Sequence, residues 1–143
     1  MTLYDQDFYS WTREQAEILK AGNFAALDVK HLIDELEALG KSEYRELVSH
    51  LAQLFTHLLE WEHQAVKRST SWRLAIENQR IDVSLVFRQN PGLKHELPDI
   101  LSLAYRKAVL NAARQTGIDR EKFPASCPYT LEQALDSGFW PET

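Results

Sequence analysis

The sequence predicts an all-α fold: one domain over residues 1–143, with a four-helix core in mainly up-and-down order, a Pro-split helix and a short C-terminal capping helix. Three observations predict it. Apolar residues recur at helical spacing along nearly the whole chain, and no stretch alternates with period two. Five Gly and five Pro are too few for a loop-rich all-β chain. Short polar side chains stand just ahead of the periodic runs and glycines often just after them, which is how helices begin and end. A domain of this size buries about 68–70% of its unfolded surface, so no disulfide or metal staple is needed.

The first helix is expected from Asp7 to Ala21, with Asp5 or Asp7 as its cap and Phe8, Trp11, Gln15, Ile18 and Leu19 as its inward stripe. Gly22 can supply a left-handed stop, and Phe24-Ala25-Ala26 a compact connection. Asp28 caps a second helix whose core side is Val29, Leu32, Ile33, Leu36 and Leu39, ending at Gly40. Ser42 caps a third, with Glu43 and Glu46 where the helix dipole favours negative charge. Leu47, Leu51, Leu54, Leu58, Trp61 and Ala65 step by four and three along it, flanked by Val48, Phe55 and Leu59. That wide stripe suits a bundle core.

Ser69, Thr70 and Ser71 are possible caps for a fourth helix, with Trp72, Ile76, Gln79, Val83 and Val86 or Phe87 facing in. Asn90-Pro91 closes it and opens a short helix to Leu97. A longer helix runs from about Pro98 to Thr116, with Leu101, Ala104, Ala108 and Ala112 on one face and Gly117 as its stop. Thr130 and Gln133 form a capping box for a last helix to about Ser137, stopped by Gly138. Phe139, Trp140 and Pro141 make a bulky apolar tail expected to pack back on the bundle.

Composition narrows the function classes. No run approaches the roughly 18 apolar residues of a membrane span. No signal peptide is visible at Met1-Thr2-Leu3-Tyr4-Asp5, and a single Cys127 precludes an intrachain disulfide, so a cytoplasmic location is expected. The net charge of −5 divides unevenly. Residues 1–66 hold twelve acids and five bases, residues 67–114 nine bases and four acids, and residues 115–143 two bases and five acids. Ion pairs along helix rims are the ordinary reading of that division, and Arg73-Glu77-Arg80 has the spacing of a self-paired solvent ridge. A pI near 5.5 fits nucleic acid poorly.

Glu60-x-x-His63 has the spacing that places a carboxylate and an imidazole on one helix face in carboxylate-bridged metal bundles, and Asp28-x-x-His31 repeats it with Asp. Asp28 is better used as a cap, and Trp61 takes the seam between Glu60 and His63, so both are expected at the rim and no metal or cofactor is assigned. His50 and His57 lie two turns apart on one face, about 10 Å, too far to share a small ion without ligands between them. His57, beside Leu54, Leu58 and Trp61, can serve as the polar member of an apolar pocket. Cys127 in its turn reads as a structural thiol. No nucleophile elbow, phosphate loop or dinucleotide fingerprint is present, so no catalytic residue is assigned.

Several motifs recur in order: Tyr4-Asp5-x-Asp7-Phe8-Tyr9-x-Trp11, Leu27-Asp28, Leu32-Ile33-x-Glu35-Leu36-Glu37-x-Leu39-Gly40, His57-Leu58-Leu59-x-Trp61, Ser71-Trp72-Arg73 with Arg80 a heptad later, Phe123-Pro124 and Cys127-Pro128-Tyr129. Together they resemble, over essentially the whole chain, a bacterial family catalogued as domain of unknown function number twenty-nine. The resemblance implies a small all-helical protein and brings no established activity with it. It also points to Glu35, His57, Trp61, Trp72, Arg73 and Arg80 as matching positions where a shared site would lie. Glu60 departs from the family's more frequent Lys, and His63 lies outside its pattern, which weakens the metal reading.

The sequence thus favours a non-enzymatic interaction or regulatory module, with an unknown protein partner or self-association. The alternative is a small anionic-ligand or enzymatic site between helices, with Arg80 holding the anion, His57 as acid or base, and Glu35 orienting one of them. The first requires an exposed contiguous apolar patch or an interface above about 1,000 Å². The second requires Glu35, His57 and Arg80 to converge on a concave pocket.

Overall fold

Short polar side chains open most of the helices in a computed structural model of the protein, which describes residues 1–142. Helix makes up 79% of the chain and no strand occurs among the described residues, which settles the class as all-α. Thr2 and Asp5 form a capping box on a single turn, α1 (Leu3–Gln6). Asp7 then accepts from the Ser10 amide at 3.0 Å and starts α2 (Phe8–Lys20). Gly22 follows with φ of 74°, and a 3₁₀ turn over Phe24–Ala26 leads to α3 (Val29–His63).

The expected second and third helices are in fact one. Gly40 does not end a helix and Ser42 does not cap one, because α3 runs through both for 35 residues. A glycine inside a helix costs only about 1 kcal/mol relative to alanine, which long helix-forming flanks outweigh. α4 (Thr70–Gln89) begins at Ser69, whose hydroxyl accepts from the Trp72 amide at 3.2 Å. The Pro91–Glu96 segment is 3₁₀, and α5 (Leu97–Thr116) carries Pro98 in its first turn and ends at Gly117 with φ of 75°. The Thr130–Gln133 capping box opens α6 (Leu131–Leu135), which stops two residues short of Ser137 because Asp136 is already extended. Asp136 instead accepts from the Gly138 amide at 2.9 Å.

The chain forms two compact units, Met1–Lys41 and the residues from Ser42 onward. In the first, only Trp11 and Gln15 of α2 are buried. Phe8 and Leu19, expected on the inward stripe, are about half exposed. Val29, Ile33, Leu36 and Leu39, expected on a core side, are 56%, 48%, 67% and 64% exposed. One helix hairpin supplies too little surface to cover so wide a stripe.

In the second unit the periodic residues are buried as expected up to Leu59, but Trp61 is half-buried and Ala65, expected on the same stripe, is exposed in a 3₁₀ turn after α3 has ended at His63. Leu47, Leu51, Leu54, Phe55, Leu58 and Leu59 of α3 have no exposure, and Ile76, Val83 and Ile100 join them. Ala104, Ala108 and Ala112 are fully buried on α5, where small side chains permit close approach. The α4 stripe differs in one member: Arg80, not Gln79, is the buried residue between Ile76 and Val83. Gln79 is half-buried and pairs instead with Gln53 at 2.5 Å. Phe139 and Trp140 pack against the core as expected.

Candidate functional site

The first unit is tied by a polar and aromatic cluster. Trp11 Nε1 donates to Asp28 Oδ2 at 3.0 Å, giving the buried indole its partner. Asp28 also receives His31 Nδ1 at 2.7 Å, while its own amide donates to Gln15 Oε1 at 2.8 Å. The His31 bond, then the Trp11 bond, holds the Asp28 carboxyl below its ordinary value. Tyr4 stacks on His31 with ring centres 3.9 Å apart and donates its hydroxyl to Glu35. That bond to an acid pushes the Tyr4 phenol up to about 12. Glu35 is therefore engaged within this unit.

Beside the cluster, α2 and the start of α3 leave an apolar groove of about 390 Å³. Its walls are Phe8, Trp11 and Leu19 on one side and Leu32, Leu36 and Leu39 on the other.

The remaining sequence-selected residues lie in the second unit. Arg80 Nε donates to the Ala134 carbonyl at 2.7 Å and Nη2 to the Phe139 carbonyl at 2.6 Å. Its Nη1 is buried without a partner. Burial pulls the guanidinium below its ordinary value, against the opposing pull of Asp136 and Glu77. Trp140 lies 5.0 Å from the Arg80 guanidinium and 4.9 Å from that of Arg73. Trp61 meets Trp140 with ring centres 4.8 Å apart, and the Arg68 guanidinium sits 5.1 Å over Trp61. Trp61, Arg73 and Arg80 are thus brought together through Trp140, a residue whose part the sequence reading missed beyond expecting the tail to pack. The expected solvent ridge holds only in part: Arg73 pairs with Glu77 at 3.7 Å, but Arg80 is buried. Trp72 is half-buried at the start of α4.

His57 lies beside Glu60, Nδ1 to Oε2 at 3.8 Å, and both His57 Nδ1 and Glu60 Oε1 are buried without partners. Glu60 is 4% exposed, which corrects its expected place at the rim. Thr56, Leu58, Leu59 and Glu60 are all buried, so this stretch of α3 has almost no free face. His50 reaches Gln79 at 3.3 Å, bridging to the neighbouring helix.

The family profile described as Domain of unknown function DUF29 matches residues 3–140. The chain belongs to the DUF29 family. No curated protein and no solved structure matches it. Nearly the whole DUF29 chain lies within the match, including the Trp11–Asp28 cluster and the Arg80–Trp140 contact. Among the described residues of this DUF29 protein, no group of three or more His, Cys, Asp or Glu is placed to hold a metal ion. Cys127 donates to the Tyr129 carbonyl at 3.4 Å, and burial pushes its thiol up, away from the reactive thiolate. No helix among those described is long and apolar enough to cross a membrane.

Proposed function

We propose that this DUF29 protein is a non-enzymatic interaction module whose first unit receives a basic amphipathic helix. The observation that carries the reading is the apolar groove between α2 and the start of α3, with Leu19, Leu36 and Leu39 largely open to solvent. Contiguous exposed apolar surface marks interaction sites, because its burial stabilises a complex. The wall from Phe8 to Leu19 is about 16 Å long at the helical rise, which matches three turns of a partner helix. Residues 1–41 hold eight acids and four bases. That balance opposes pairing with a second copy of the same unit and favours a cationic partner.

The test is titration of the full chain with an amphipathic Leu/Lys peptide of four turns and with its Leu/Glu counterpart. The Leu/Lys peptide is expected to bind saturably, with Leu36→Glu abolishing the interaction while circular dichroism is retained. Equal binding of both peptides, or binding unaffected by Leu36→Glu, overturns the reading. A dimer by sedimentation that Leu36→Glu dissociates would make the second copy the occupant instead.

A further inference from the structure

Arg80 presents a problem that the interaction reading leaves untouched. Its side chain is 4% exposed, and no carboxylate among the described residues forms an ion pair with it. Two of its nitrogens hold backbone carbonyls and Nη1 holds nothing. A buried charge without a bonded counter-ion, and a buried N–H without an acceptor, are both costly. Of the five buried polar atoms without a partner among the described residues, Arg80 Nη1 belongs to a cation that lines a surface cleft, where an ion or ligand can reach its side chain.

Arg80 also lines a surface cleft of about 480 Å³. Arg80, Ser84 and Arg88 follow one another at four-residue steps along the α4 wall, a row of donors spanning about 12 Å. Leu85 on the same helix and Leu135 at the end of α6 make the cleft largely apolar, and Ser137 adds a hydroxyl from the opposite wall. Glu77, the acid at this cleft, is paired with Arg73. The arrangement has cationic donors along one wall and aliphatic side chains around them. We infer that this cleft binds a small amphiphilic oxyanion, a carboxylate or phosphate ester with a short aliphatic group. Arg88 and Ser84 donate to the anion directly, and its charge compensates the buried Arg80 guanidinium at the cleft wall.

The full, isotope-labelled chain is titrated with octanoate, octyl phosphate, inorganic phosphate and octan-1-ol while amide resonances are followed. Saturable shifts centred on Ser84, Arg88 and Ser137 are expected with octanoate or octyl phosphate, and the tighter of the two identifies the head group. The neutral alcohol should bind at least about tenfold more weakly, as for loss of a charged hydrogen-bond partner. Arg80→Ala can detach the tail that Arg80 holds, so the deciding variants are at the exposed positions. Arg88→Ala should weaken octanoate about tenfold, and Ser84→Glu should abolish it. The inference is overturned by the absence of saturable shifts, by shifts confined to the Phe8–Leu39 groove, or by unchanged affinity in both variants. The Leu36→Glu variant, which places a charge on the apolar groove wall, should bind octanoate as the parent does, so the two proposals stand or fall separately.

Discussion

In the first unit α3 presents Val29, Ile33, Leu36 and Leu39 to solvent, whereas from Leu47 onward the same helix buries Leu47, Leu51, Leu54 and Leu58 completely. Both stretches are leucine-rich, with apolar residues recurring every three or four positions. They differ in what surrounds them. Beyond Ser42, residues of α4, α5, α6 and the tail join α3 in one apolar cluster. In the first unit, hydrogen bonds and ring contacts among Tyr4, Trp11, Gln15, Asp28, His31 and Glu35 carry much of the order. Periodicity identifies which residues share a face, and only the rest of the fold decides whether that face is covered.

Truncation at matched positions of α3 should separate its two stretches. Leu54→Ala should cost about 2–5 kcal/mol of unfolding free energy by denaturant titration, the range for a fully buried leucine. Leu36→Ala should stay within about 0.5 kcal/mol, as at other exposed sites. Comparable losses at both positions would show that the α2–α3 face is covered in solution.

Arg80→Met should cost about 2–4 kcal/mol, because it removes two charged hydrogen bonds and leaves the Ala134 and Phe139 carbonyls without their donor. Limited proteolysis should then cut near Trp140 before it cuts elsewhere.

Extremes of pH should separate the units. The Asp28 carboxyl is depressed in the folded chain, so its contribution is complete above the ordinary carboxylate value of 3.8 and fades as pH falls through its lower folded value. Tyr4 is raised from 10.0 to about 12, so its contribution is complete below 10.0 and fades as pH rises through about 12. Side-chain resonances of Tyr4, Trp11 and His31 should lose their folded shifts at both ends. Resonances of Leu51 and Ile76 should hold at the acid end, where they depend on no carboxylate in that cluster.

A small effect of opposite sign should come at Gly40. Its backbone is helical and a Cβ there meets nothing within 4 Å, so Gly40→Ala should stabilise the protein by about 0.5–1 kcal/mol.

Much of the fold was legible in local chemistry. Asp7, Ser69 and Thr130 cap helices, Gly22 and Gly117 adopt left-handed backbone, and Leu47, Leu51, Leu54 and Leu58 of α3 are core. Gly40 misled because a glycine can end a helix or sit within one, and its neighbours decide. Arg80 was singled out, but its place inside the fold was not readable, since its partners are backbone carbonyls 54 and 59 residues away. Glu60 was misplaced for a similar reason: helical spacing gives an azimuth, and the stretch around it is buried on nearly every azimuth.

The Arg80 bond to Phe139 also has a kinetic side. It joins positions 59 residues apart, whereas Tyr4 reaches Glu35 across 31 and Trp11 reaches Asp28 across 17. Contacts that close long loops cost the most chain entropy and form after local ones. Loss of the Arg80 clasp should therefore leave the refolding rate near its original value and raise the unfolding rate, shortening the lifetime of the native state more than it slows its formation.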